Sequence, residues 1–356
     1  MASQRNLELF RATAAGDVER MRAVLGRGAK VNSRLKNGAT PLLTAAISGE
    51  IEAVRLLLLQ GGDLKARYRD DATVLIMAAT QGEAEIVRLL LQKGANFEER
   101  TRGGVTALLA ASIEGHADVV EALLAAGANV NGTDNRGVTP LIGAVINGRM
   151  EAACALMASG ADVHHRSQSG LTPLAASIAA AASVSWLLLE HGANASVADE
   201  NGRPVLVAAA AVGNAEVLPM LLSKGASIES RDPDGNTAVL AAALGGHAEA
   251  LTELLNAGAN PNTAGREGIT ALIAASVRGF AEIVKQLAKA GSDLNAIDSR
   301  GINALHAAAA TGQAGIARLL VESGADVNRL TADGLTALQV AETAGHQEIV
   351  ELLRQG

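Results

Sequence analysis

Histidine and cysteine are the residues of this chain best suited to metal or nucleophilic chemistry, and there are seven of one and one of the other. His116, His247 and His346 each follow a glycine (Gly115, Gly246, Gly345) and lie far apart, while His164-His165-Arg166 has no carboxylate or cysteine beside it. A zinc site draws three or four Cys, His or carboxylate ligands together, and neither arrangement supplies that. No nucleophile elbow, phosphate-binding glycine loop or paired Cys-x-x-Cys is present. Cys154, the single cysteine, excludes an intramolecular disulfide and fits a reducing compartment. Acidic residues fall in turns and on helix surfaces, which leaves no buried pair for acid–base work. No catalytic residue, metal site or cofactor is expected.

The elements that carry these residues explain their spacing. The stretch from Gly104 to Asn131 reads as two short helices and a turn. Thr106 offers an oxygen to a helix N-terminus, and Ala107 to Ile113 is a small apolar helix ended by Gly115-His116. Asp118 to Ala125 is a second helix, with Val119, Val120, Leu123 and Leu124 on one face, closed by Gly127. Such a pair cannot bury its apolar face alone, and the chain repeats it. Gly38, Asp71 (a substitution), Gly104, Gly137 and Gly170 are thirty-three residues apart; the next step, to Gly202, is thirty-two; Gly235, Gly268, Gly301 and Gly334 resume thirty-three. About eleven units run from Asn6 to Leu353. His116, His247 and His346 share one column of this repeat, which makes them turn residues.

The chain resembles the ankyrin-repeat family over nearly its full length. The residues that carry the resemblance are Thr40-Pro41-Leu42, Thr139-Pro140-Leu141, Thr172-Pro173-Leu174, Leu305-His306, the Gly-His turns, and Gly-Ala-Asn/Asp endings such as Gly160-Ala161-Asp162. It implies an all-α solenoid of stacked antiparallel helix pairs with β-turn fingers, and a tie from His306 between loop and helix. Asn37-Gly38, Asn201-Gly202, Asp234-Gly235 and Asp333-Gly334 are turn dipeptides in their own right. The expected organisation is one array over residues 1–356, with capping repeats at 1–33 and 331–356 around internal repeats 34–330. Polar residues on the end repeats suggest a complete chain.

Composition narrows the function class. The chain is 49% hydrophobic but 1% aromatic, as suits thin, closely packed helix pairs, and its net charge of −7 argues against a dedicated nucleic-acid binder. No signal peptide opens the chain, and no apolar run approaches the roughly 20 residues of a membrane span. A soluble cytoplasmic protein is expected, with the nucleus as a further location. Asn131-Gly-Thr and Asn194-Ala-Ser then match the glycosylation pattern by chance.

The resemblance implies protein binding through the fingers and the exposed residues of the first helices, on the concave face. Carried over by column, the candidates are Tyr68, Arg69, Arg102, Ile113, Glu114, Arg136, Ile146, Asn147, Arg203 and Arg278. The early fingers are basic (Lys36, Arg67, Arg69, Arg100, Arg102, Arg136, Arg166) and could steer an acidic partner segment to the N-terminal half. Solvated turns that tolerate any charge are the competing reading. Tyr68, the only tyrosine, stands between two arginines and is the first finger contact to expect.

The sixth unit, around Gly170 to Asn194, has lost one residue and its turn glycine, and the seventh carries Pro219 inside its second helix. Six residues before each Gly-Ala glycine, the outer face reads Arg55, Arg88, Glu121, Cys154, Trp186, Pro219, Thr252, Lys285, Arg318. Exposed, Cys154, Trp186 and Pro219 would form an outer-face partner site. Alternatively the deletion turns Trp186 inward beside Ser185, which stands in a core valine column. Two functions are compatible with all this: a non-catalytic scaffold or adaptor, monomeric on its own, or an architectural subunit held permanently in a larger assembly.

Overall fold

The protein is described by a computed structural model covering residues 4–355. Among the described residues there are twenty-two α-helices and three short 3-10 turns, with a single isolated β-bridge between Ala198 and Pro204. They fall into two compact units that meet in sequence between Ala176 and Ser177.

Each helix pair forms for reasons visible in its own residues. A threonine opens the first helix: Thr106 Oγ1 accepts the backbone N–H of Leu109 at 3.2 Å, and Thr40, Thr73, Thr139, Thr237 and Thr270 repeat this in their own units. Gly115 ends Ala107–Glu114 in the left-handed conformation (φ 88°) a glycine adopts without cost. The second helix follows as Ala117–Ala125. Within the first unit, Val74–Gln81 packs on Ala107–Glu114, which packs on Pro140–Ile146; within the second, Val205–Ala211, Ala238–Gly245, Ala271–Arg278 and Ala304–Thr311 stack in turn. The leucine two residues after the capping threonine points into each interface: Leu42, Leu75, Leu108 and Leu141 are all fully buried. Each such leucine contributes about 1.5–3 kcal/mol of transfer free energy.

The histidine column has a structural task. His116 Nε2 donates to the Thr80 carbonyl at 3.0 Å, His247 Nε2 to Ala211 at 3.0 Å and His346 Nε2 to Ala310 at 3.3 Å, in every case the end of the preceding repeat's first helix. Asn214 and Arg149 occupy the same column and make the same bond, to Ile178 and Ile113. The imidazole lies directly over the preceding glycine. A Cβ on Gly213 would come within 2.5 Å of His247. These side chains stitch neighbouring repeats together.

His306 does what the resemblance implied, in a different register from the stitching column. In a reciprocal N-terminal cap Asn303 Oδ1 accepts the His306 backbone N–H at 3.0 Å and His306 Nδ1 accepts the Asn303 N–H at 3.5 Å, while His306 Nε2 donates to the Leu335 carbonyl at 3.2 Å. Burial pushes its pKa below the ordinary 6.5, against the opposing pull of the Leu335 and Arg329 carbonyls. The unfolded chain therefore takes up a proton that the folded chain resists. The resulting stability is complete above pH 6.5 and is lost as the pH falls through the lowered folded value. A urea midpoint that declines below about pH 6.5 is expected. The decline should be shallower in His306→Leu, the residue at the matching positions Leu109 and Leu240.

The sixth pair is the irregular one. Its first helix, Pro173–Ser177, has five residues and no terminal glycine, and its second is Ala182–Glu190. Ser185 is buried in the valine column, and its hydroxyl meets Ser177 Oγ at 2.8 Å. Trp186, however, does not turn inward to fill this space: it is 55% exposed. The deletion is absorbed in the turn, so the second helix keeps its register and Trp186 stays on the outward row. In the seventh pair Pro219 divides the second helix into a 3-10 turn, Ala215–Val217, and a short α-helix, Leu218–Ser223, in whose first turn the proline needs no N–H partner.

Candidate binding groove of the first unit

Four of the expected contact residues come together. Ile113, Arg136, Ile146 and Asn147 line a groove of about 630 Å³ with Val138, Gly143, Ser167, Gln168, Ser169 and Leu171. Two first helices give the floor: Ile113 near the end of Ala107–Glu114, and Gly143, Ile146 and Asn147 at the end of Pro140–Ile146. Two successive fingers give the wall. They are joined by a backbone bond from Gln168 N to the Arg136 carbonyl at 2.9 Å, so the wall is held in place. The same finger-to-finger bond runs from Arg102 N to Asp70 O and from Asn135 N to Gly103 O.

Gly143 lies in the floor of the groove. Other repeats place alanine here (Ala110, Ala176). A Cβ at Gly143 would approach Ile113 Cγ1 to 2.9 Å and Leu109 Cδ1 to 3.1 Å, so glycine lets these two side chains of the neighbouring helix pack directly against its backbone. Ile146 is 50% exposed, a large aliphatic side chain left in solvent at the lip. Asn147 Nδ2 donates to the Gly143 carbonyl at 2.8 Å, which fixes its amide. On the far wall Ser167 stands where other fingers carry aspartate, and it bonds Ser169 Oγ at 2.9 Å and the Leu171 N–H at 3.1 Å. That finger therefore keeps its turn without a charge.

The basic ridge is largely committed to the fold. Arg67 and Arg100 reach the next finger: Arg67 pairs with Glu99 there while also donating to the Asp71 carbonyl of its own finger at 3.0 Å, and Arg100 Nη1 donates to Thr133 O at 2.6 Å. Arg102 Nε meets Asp71 Oδ2 at 2.8 Å, and the bond holds that carboxyl below its ordinary value and the guanidinium above its own. Asp71 sits at φ 60° in the glycine column, beside Asp70 at φ 54°, so this finger keeps its turn with two aspartates in the left-handed region. Arg136 Nε pairs at 3.2 Å with Asp134, itself buried and bonded to the Arg136 and Val138 amides. Lys36 and Arg69 are exposed, and the Arg69 guanidinium lies 5.6 Å from the Tyr68 ring centre in a cation–π contact. Tyr68 is half-buried on that finger and lies outside the groove lining.

A family model for ankyrin repeats (3 copies) matches residues 9–101, 98–167, 144–232, 225–298 and 291–356. The chain belongs to the ankyrin-repeat family. Comparison with curated proteins finds no match. Ankyrin repeats generally serve as protein–protein interaction modules and are typically non-catalytic. Among the described residues no cluster of His, Cys, Asp or Glu could hold a metal ion, and no helix is long and apolar enough to cross a membrane. In this ankyrin-repeat chain Glu114 is exposed beside the groove, Arg278 is exposed in the second unit, and Arg203 is half-buried there, 4.0 Å from Asp199. Cys154 is a free, exposed thiol on the outer row of the first unit.

Proposed function

We propose that this protein is a non-catalytic scaffold that holds a segment of another protein in the groove between Ile113, Gly143 and Ile146. The observation that carries it is an exposed isoleucine, Ile146, at the lip of a groove of about 630 Å³ built by adjacent repeats. A large apolar side chain in solvent beside a concave surface fits one bulky apolar side chain of a partner. Arg136, Gln168 and Ser169 on the wall are donors for the carbonyls or a carboxylate of the segment that carries it. Because the early arginines are paired within the fold, the apolar anchor sets affinity and charge sets approach. We assign the work to the cytoplasm or nucleus, on the strength of the lone cysteine and the acidic balance.

Photo-crosslinking in the native source tests this. A benzophenone side chain at Gln168 should give a covalent protein adduct, and one at the outward-facing Glu121 of the same unit should not. Adducts from Glu121 and none from Gln168 would overturn the reading.

A further inference from the structure

The outer row of second helices changes character in the middle of the chain. Near the N-terminal end an acid in the first turn is answered by arginine three residues on: Glu19 with Arg22 at 3.9 Å and Glu52 with Arg55 at 3.2 Å. In the second unit the matching cations return only at Lys285 and Arg318. Before them the same position holds Trp186, Pro219 and Thr252, all exposed, on consecutive second helices that pack on one another. The acids remain. Glu216, Glu249 and Glu253 surround a shallow groove of about 380 Å³ floored by Ala215, Pro219 and Thr252. Among the described residues no lysine or arginine pairs with these three, whereas the nearby Glu190 has Lys224 at 3.4 Å. Pro219 has replaced a full helical turn with a 3-10 turn at this point.

An exposed indole beside unanswered carboxylates has a definite complement. The indole face attracts cations as well as apolar groups, and the carboxylates attract cations only. An anionic surface or nucleic acid would be repelled here. We propose that Trp186, Pro219 and Thr252, with Glu216, Glu249 and Glu253, form a second docking surface, which takes a lysine- or arginine-bearing amphipathic segment of a partner protein. The partner supplies the cations that the row has lost, and its apolar face covers Trp186. This surface lies in the second unit, and its occupation does not depend on the groove at Ile146.

Trp186 is the only tryptophan, so its emission reports the site directly. The probe is a tryptophan-free amphipathic peptide of lysine and leucine, titrated at near-physiological salt. A saturable blue shift is expected. Glu216→Gln/Glu249→Gln/Glu253→Gln should weaken binding about tenfold or more, while the equally neutralised Glu85→Gln/Asp118→Asn/Glu121→Gln changes it by less than about twofold. Unchanged emission, or equal weakening by both triple variants, overturns the proposal. So does a concentration-dependent dimer that Trp186→Ala disperses, since a second copy would then be the occupant. Ile146→Asp should leave the titration unchanged.

Discussion

Ile146→Asp is expected to weaken the partner captured through Gln168 by about a hundredfold or more, with the thermal midpoint nearly unchanged. The two halves of this expectation have separate causes. Ile146 is the last residue of Pro140–Ile146 and half its surface already faces water, so folding loses little when it becomes polar. Surface changes of this kind usually stay within about 0.5 kcal/mol. In a complex the same side chain would be covered, and an aspartate there would have to be desolvated against an apolar anchor. Central anchors of an interface carry roughly 2–4 kcal/mol, which converts to about thirty- to a thousandfold in affinity. Calorimetric titration against the captured partner, with a melt on the same sample, measures both. Arg278→Glu, at an exposed first-helix position of the second unit, is the matched comparison and should change affinity by less than about threefold. Equal affinity of Ile146→Asp and the parent protein would reject the groove.

The groove is partly legible in the sequence. Its column positions pick out Ile113, Arg136, Ile146 and Asn147, because a repeat fixes which side chains face outward. Gly143 was open to the same reading: the alanine column breaks there, at a place where no turn requires glycine. Val138, Gln168 and Leu171 were harder, since they belong to the next finger and only the finger-to-finger backbone bond brings them onto the wall. The commitment of the arginines was not legible at all. A charge count registers Arg67 and Arg100 as free cations. Their partners are Glu99 and the Thr133 carbonyl, about one repeat further along the chain, and a bond of that span leaves no local signature.

The fold was legible for a simpler reason. Its glycines are required by backbone geometry: Gly115, Gly246 and Gly279 all close first helices with positive φ, and the spacing between them is the spacing of the repeats. Trp186 illustrates the limit of column reasoning. A missing residue can be absorbed by rotating the next helix or by shortening the turn before it. Periodicity does not choose between these. The structure shows the second, with Ser185 retaining the buried column and bonding Ser177.

That choice has a measurable consequence in amide exchange. The amides from Ala176 to Ala182 should exchange about a hundredfold faster than their counterparts near the end of Ala107–Glu114. After the N-terminal repeat the other first helices run seven or eight residues; Pro173–Ser177 has five, and beyond it the chain turns through Ala180 N to Ser177 O at 2.9 Å. Fewer intrahelical bonds must break to open it. Ser185 also stands in the column where Val87, Val120 and Val284 are buried, and Ser177 where Ala111 and Ala144 are, so less apolar surface is exposed on opening. Together these lower the free energy of local opening by about 3 kcal/mol relative to a regular repeat, which is the hundredfold in rate. Inserting one glycine after Ala180 restores the thirty-three-residue spacing and the missing helix end, and should recover most of the protection. Protection at residues 176–182 equal to that of Ala110 and Ala111 in the parent protein would show that the shortened turn is as firmly closed as a full one.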